Sequence, residues 1–225
     1  MCGIVTAIAR RNIVPVLLEG LRKLEYRGYD SAGLAVLKTD GAPALQRLRA
    51  VGRVAELSAQ ADATALSASI GIAHTRWATH GVPSERNAHP HISGGLAVVH
   101  NGIIENFEEL RAALQAKGYV FTSETDTEAI AHLLHDTLKT VSDLYEAVRV
   151  TIAQLVGAYA IGIVSEAYPD RVIVARKGSP LLLGIGEDGH YAASDTAALL
   201  QVTRKVVYLE DGDVAELTLD GYRVT

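Results

Sequence analysis

Apolar positions along the chain follow two periods, one of strands and one of helices. Residues 2–9 form a short apolar run rich in β-branched side chains, which predicts a buried strand. In 13–25, Val14, Leu17, Leu18, Leu21 and Leu24 recur at helical spacing and give one apolar face. Segments 32–37 and 45–51 predict strands flanking a turn at Asp40-Gly41. Segments 69–75 and 96–100 predict two more buried strands, separated by an irregular loop, 76–93, that carries His and Pro. Asn106-Phe-Glu-Glu109 reads as a variant capping box, with Asn106 as N-cap and Glu109 three residues on. It opens a helix through Ala116 that Gly118 closes. Two further helices are expected at 126–138 and 143–155. Strand patterns then follow at 158–164, 172–176, 181–185, 191–193, 206–209 and 214–217, with a short helix near 195–200.

Strands thus gather at both ends of the chain, with helices early and in the middle. Many short strands with tight turns predict mainly antiparallel sheets with helices packed outside, an α+β arrangement. No repeat, low-complexity segment or Pro/Ser-rich linker interrupts the pattern, so one compact domain is the simplest organisation. The composition changes little here: 225 residues, 48% hydrophobic and 21% charged, suffice for a substantial core. A net charge of −5 gives no general attraction to nucleic acid or to an anionic membrane. No apolar run reaches the roughly 18 residues a membrane helix needs, and no signal peptide is readable. A single cysteine excludes an intrachain disulfide and, without a leader, points to the reducing cytoplasm. The chain stops directly after a strand pattern, which suggests a domain of a longer protein.

That cysteine is Cys2, directly after the initiator Met. Removal of Met1 leaves it with a thiol and a free α-amine, whose ordinary pKa values of about 8.5 and about 7.7–8.0 lie close together and near working pH. One residue then holds nucleophile and base together. With Met1 in place the nitrogen is an amide and loses its basicity. Position alone equally suits a small buried thiol at a strand start.

Three further segments carry candidate chemistry. His74-Thr-Arg-Trp-Ala-Thr-His-Gly81 runs from a strand end into the loop; Arg76 can grip a carboxylate with paired hydrogen bonds and Trp77 can cover a small ligand, or the two are an exposed Arg and a packed Trp. Asn101-Gly102 after a strand is ordinarily a turn, yet a side-chain amide beside a backbone N–H is also what an oxyanion hole requires. In Ser123-Glu-Thr-Asp-Thr-Glu128, Asp126 or Thr127 can cap the following helix, and Asp126 can instead hold an ammonium. With Arg76 opposite, Asp126 would complete recognition of both charges of an α-amino acid. Five of the eight histidines lie between His74 and His100, but without a second cysteine or a metal-ligand spacing no metal is expected. Neither nucleotide fingerprint is present, and no cofactor is expected.

Six motifs in order carry a resemblance: Cys2-Gly-Ile-Val5, Tyr26-Arg-Gly-Tyr-Asp-Ser-Ala-Gly33, the segment from His74 to Gly81, Asn87-Ala-His-Pro-His91, His100-Asn-Gly-Ile-Ile-Glu-Asn106 and Ser123 to Glu128. They closely resemble the N-terminal glutaminase (class II glutamine amidotransferase) domain of glutamine–fructose-6-phosphate aminotransferases (isomerizing), the glucosamine-6-phosphate synthases. The resemblance runs from Cys2 to about Leu217 and implies a four-layer αββα N-terminal-nucleophile hydrolase fold with two facing antiparallel sheets. It implies that Cys2 attacks the glutamine side-chain amide while its α-amine moves the proton. By the same resemblance Asn101 and the Gly102 N–H hold the oxyanion, and Arg27 supports the architecture around Cys2. Arg76 takes the substrate carboxylate and Asp126 its ammonium, and Trp77, Thr79 and His80 close a loop over the ligand. It assigns residues 2–218 to the glutaminase domain and 219–225 to the start of a linker toward sugar-isomerase domains that bind fructose 6-phosphate and make a homodimer. The alternatives are a glutaminase domain serving another acceptor and a non-catalytic module that senses glutamine.

Overall fold

The computed structural model describes residues 2–38, 41–77 and 82–225. In chain order the elements are β1 (Gly3–Ala9), α1 (Val14–Leu24), β2 (Ser31–Lys38), β3 (Ala44–Val51), α2 (Val54–Ala63), β4 (Ile70–Arg76), β5 (His91–Ser93) and β6 (Leu96–Ile104). They continue with α3 (Phe107–Ala116), α4 (Asp126–Thr137), α5 (Leu144–Ile152), β7 (Gly157–Ser165), β8 (Tyr168–Lys177), β9 (Leu182–Ile185), β10 (Gly189–Ala193), β11 (Val206–Tyr208), β12 (Val214–Leu217) and β13 (Tyr222–Val224).

Strand β1 explains the layering. Every residue in it is buried. Successive side chains of a strand point to opposite faces, and here both faces meet apolar partners. Val5, Ala7 and Ala9 pack with Leu17 and Leu21 of α1 and Leu57 of α2. Ile4 and Ile8 point the other way and pack with Ala97, Val99, Ala160 and Val174. The same split recurs in β6, where Ala97 and Val99 join that central layer while Leu96 and Val98 pack with Ile130 and Leu134 of α4 and Leu144 of α5. Two sheets therefore face each other, each covered outside by helices. The seven-stranded sheet has the order β11-β9-β10-β1-β4-β2-β3 and the six-stranded sheet β13-β12-β8-β7-β6-β5. The expected four-layer αββα arrangement is the one found. Among the described residues no helix is long and apolar enough to cross a membrane.

Several local expectations change. Helix α2 follows β3 where no helix is expected from the pattern; only Val54, Leu57 and Ala61 are buried in it, so its apolar periodicity is faint. Its start is satisfied from afar, by Glu25 Oε1 accepting from the Val54 N–H at 2.8 Å. Asn106 precedes α3, but its side chain makes no cap bond. It accepts from the Val156 N–H at 3.0 Å and donates to the Gln154 carbonyl at 2.9 Å, tying α3 to the loop after α5. Asn101-Gly102 is not a turn; β6 continues through it, with Asn101 paired to Ala160 and Gly102 to Tyr159. The segment 219–225, expected as the start of a linker, is built into the sheet. Its Tyr222–Val224 pairs with β12, and Thr225 exchanges both backbone hydrogen bonds with Val214 at 2.9 and 3.0 Å. Strands β5 and β13 have three residues each, too short to show a period. Asp40 of the expected turn lies outside the described residues.

Candidate active site

Strand pairing brings the ends of three elements together. In β1 and β4, Gly3 faces Thr75, so the residue before β1 lies beside the residues that close β4. The Trp77 N–H accordingly donates to Cys2 Sγ at 3.2 Å, and the thiol faces the Trp77 carbonyl at 3.6 Å. Gly3 allows this approach, since a Cβ there would sit 2.7 Å from Thr75 Oγ1 and 2.8 Å from Leu24. Across the gap between the sheets, Asn101 Nδ2 donates to the Cys2 carbonyl at 3.2 Å. Next to it Gly102 adopts φ +131°, and a Cβ there would lie 2.0 Å from the Ala158 carbonyl oxygen. Only glycine fits that backbone within a strand.

A cavity of about 400 Å³ opens over these groups, lined by Cys2, Arg76, Trp77, Asn101, Gly102 and Asp126, with Arg27 at its wall. Arg76, 3% exposed, ends β4 and lies 3.8 Å from Asp30 Oδ1. Asp126 is the first residue of α4. Its Oδ2 accepts from the Ile104 N–H at 2.9 Å, and its Oδ1 lies 3.7 Å from His100 Nδ1. One carboxylate, Asp126, and two guanidinium groups, Arg27 and Arg76, thus share a small cavity with a thiol. Arg27 closes a 3-10 turn after α1 and donates to the Ser194 carbonyl at 3.1 Å; the Ser194 hydroxyl accepts from the Ile4 N–H at 3.1 Å. Arg27 therefore reaches strand β1 through Ser194. Trp77 is 54% exposed, and its ring lies against Gly28, where a Cβ would come within 2.7 Å of it. Thr79 and His80 lie outside the described residues.

Burial pushes the Cys2 thiol above its usual range, and the Trp77 N–H works against that rise. Beneath the cavity lies a packed group of histidines. His74 and His89 stack with centroids 4.2 Å apart. The Thr127 hydroxyl bridges His89 Nε2 at 2.6 Å and His100 Nδ1 at 3.1 Å, and Thr125 Oγ1 holds His91 Nε2 at 2.9 Å. Burial lowers the pKa of His74 and of His91 to about 3 and that of His89 well below the ordinary value. These rings are neutral at working pH. They meet threonine hydroxyls, each other and, for His74, the His100 carbonyl and Asn101 Oδ1; among the described residues no group of three His, Cys, Asp or Glu side chains is placed to hold a metal ion.

The loop into α4 is set by Glu128. Its carboxylate accepts from the Thr122 and Ser123 N–H groups at 2.8 and 2.6 Å and from both their hydroxyls. Burial opposes the charge, but the His132 ring 3.8 Å away and hydrogen bonds from Ser123 and Thr122 outweigh it and hold the carboxyl well below its usual range. Sequence reasoning missed this role for Glu128, that of Ser194 behind Arg27, and the buried contacts of His74, His89 and His100. Histidine density between positions 74 and 100 was the available signal, and a network of buried rings held by threonine hydroxyls and by stacking produces it.

A profile of the glutamine amidotransferase domain matches residues 74–201, more than half of the chain. The chain belongs to the glutamine amidotransferase domain family. Curated relatives agree with the match. The glutamine–fructose-6-phosphate aminotransferase (isomerizing) of Acidithiobacillus ferridurans is 59% identical over 226 residues, covering 100% of this chain and 37% of the relative. The enzyme of the same name from Pseudomonas putida is 57% identical, covering 98% of this chain and 36% of the relative. The chain thus spans little more than a third of the length of these relatives. Among solved structures, the glutamine phosphoribosylpyrophosphate amidotransferase of B. subtilis aligns over 100% of this chain and 49% of its own, with a TM-score of 0.82 and 27% identity. In this amidotransferase domain the two sheets and the helices outside them are those of that N-terminal-nucleophile neighbour.

Proposed function

We propose that this domain hydrolyses the side-chain amide of L-glutamine to glutamate and ammonia through a covalent Cys2 thioester. The observation that carries this is the convergence, on one cavity of about 400 Å³, of the Cys2 thiol, the Asn101-Gly102 pair and the opposite charges of Arg76 and Asp126. With Met1 removed, the α-amine of Cys2 takes the thiol proton as Sγ attacks the amide carbon. The resulting oxyanion accepts from Asn101 Nδ2 and the Gly102 N–H. Collapse of the tetrahedral species returns the proton to the departing nitrogen, breaks the C–N bond and releases ammonia, leaving a γ-glutamyl thioester. Water activated by the same amine then hydrolyses the thioester and restores the thiol. Arg76 binds the α-carboxylate of the substrate and Asp126 its α-ammonium. Trp77 covers the ligand, and Arg27 holds the Cys2 strand through Ser194.

In the whole protein the released ammonia would serve amination of fructose 6-phosphate, as the names of the relatives at 59% and 57% identity suggest. That sugar would be bound by further domains, and the whole protein would assemble as a homodimer in the cytoplasm. Glutamate release by the wild-type domain and by Cys2→Ala tests the central claim. The wild type turns over glutamine and the variant does not; equal rates would remove Cys2 as the nucleophile.

A further inference from the structure

The side chain of Asn101 is useful to an oxyanion only in one of its two amide orientations, and the geometry points to His74 as the residue that selects it. We infer that His74 is a positioning residue: its Nε2–H holds Asn101 Oδ1 and so turns Asn101 Nδ2 toward the reacting centre. This rests on the oxyanion role proposed above for Asn101.

Two backbone oxygens, whose identity is not open to reassignment, determine the arrangement. The His100 carbonyl oxygen lies 3.0 Å from His74 Nε2. A carbonyl can only accept, so Nε2 carries the hydrogen and His74 is the Nε2–H tautomer. Asn101 Oδ1 lies 2.9 Å from the same nitrogen and shares that hydrogen. At the other end of the amide, Asn101 Nδ2 lies 3.2 Å from the Cys2 carbonyl oxygen. Rotating the amide by half a turn would set the NH2 group against the His74 N–H and the oxygen against the Cys2 carbonyl. Both contacts would become repulsive. In the observed orientation Nδ2 spends one hydrogen on Cys2 and keeps the second for the cavity.

His74 is itself held in place. It lies on β4 and is 1% exposed, and its ring stacks on His89, which Thr127 anchors. Burial keeps it neutral, with its pKa lowered to about 3. A cation at this position would gain nothing, because Nδ1 has no hydrogen-bond partner among the described residues. A neutral ring with its hydrogen on Nε2 is the form that leaves a bare Nδ1 buried at least cost. Among the described residues the thiol's hydrogen bonds go to Trp77 and not to His74, so the effect of His74 on the reaction runs through Asn101.

A double-mutant cycle on the domain tests this, with Asn101→Ala, His74→Leu, His74→Gln and the pair His74→Leu/Asn101→Ala. The expected result is that His74→Leu lowers kcat for glutamine hydrolysis by about 10- to 100-fold, part of the loss an oxyanion donor brings, with KM changed less than about twofold. His74→Gln, which keeps a donor near Nε2, regains most of that rate. In the Asn101→Ala background His74→Leu costs less than about threefold more, because the group it acts through is gone. Losses that multiply instead, or an unchanged kcat in His74→Leu while Asn101→Ala is impaired, overturn the positioning role and leave the oxyanion role standing. An unchanged kcat in Asn101→Ala removes the oxyanion role and this inference with it. Nitrogen NMR of His74 in the wild type needs no variant to fold: a neutral Nε2–H ring from about pH 5 to 8 is expected, and an Nδ1–H ring overturns the proposal.

Discussion

The carbonyl oxygen of His89 occupies the space where a side chain on Gly33 would begin, 2.1 Å from the position its Cβ would take. Gly33 lies in β2 and faces His74 across β4. The backbone of the histidine-bearing loop is therefore pressed against a bare strand position, and the His89 ring that stacks on His74 is placed by that approach. Gly33→Ala forces the loop outward. The expected loss of stability is about 1–3 kcal/mol, the range for overpacking, together with a lower kcat. Urea unfolding midpoints and glutamate release measure both; a variant as stable and active as the wild type would show that the loop yields freely.

In the proposed mechanism the α-amine of Cys2 is the base, so activity should follow removal of Met1. Protein prepared with methionine aminopeptidase inhibited is expected to release no glutamate. In mixed preparations the rate should scale with the processed fraction seen by intact mass. Full activity in a preparation whose mass shows Met1 retained would exclude the amine from the mechanism.

Asp126→Asn separates the two jobs of that side chain. The amide oxygen of Asn can still accept from the Ile104 N–H, which Asp126 Oδ2 does at 2.9 Å, so the start of α4 should survive. The charge facing the substrate ammonium is lost. KM for glutamine is expected to rise roughly 10- to 100-fold, the worth of a charge-assisted hydrogen bond. A glutamine analogue without the α-amino group should be affected far less. Equal effects on both compounds would place the ammonium elsewhere.

Acid should destabilise the domain through its buried histidines. His74, His89 and His91 have folded-state values below the ordinary 6.5, so the unfolded chain binds more protons as pH drops. Their contribution is complete above about pH 6.5 and is lost progressively toward about pH 3, by up to about 1.4 kcal/mol per pH unit for each ring. The urea midpoint is expected to fall between pH 7.5 and 5, and His91→Gln should flatten the dependence. A midpoint that does not move over this range would mean that the folded domain binds as many protons as the unfolded chain, against burial of neutral rings.

Much of the architecture was legible because both faces of the central strands are buried. Unbroken apolar runs such as Ile4-Val5 in β1 and Leu96-Ala-Val-Val99 in β6 announce sheets covered on both sides. Motif order was enough for the family and for Cys2, Arg76, Asn101 and Asp126 as candidates. What stayed hidden depends on partners distant along the chain. Helix α2 starts on a carboxylate from Glu25, Asn106 is claimed by residues 154 and 156, and Gly102 stays in the strand at a positive φ with the Ala158 carbonyl filling the space a side chain would need. The role of His74 was hidden for the same reason, since a hydrogen bond between strands of different sheets leaves no spacing to read.

That last bond has a wider consequence. His74 and Cys2 hang from the seven-stranded sheet, whereas Asn101 belongs to the six-stranded one. The proposed nucleophile and oxyanion donor are thus mounted on two plates, and the apolar filling between them, Ile4 against Ala160 and Val99, acts as the spacer that sets their alignment. A slide of one plate over the other by a fraction of an ångström would shift Arg76, on β4, against Asp126, tied to β6, and put the reacting groups out of adjustment as well. Side chains that never touch glutamine are in this sense calibrated parts of the catalyst.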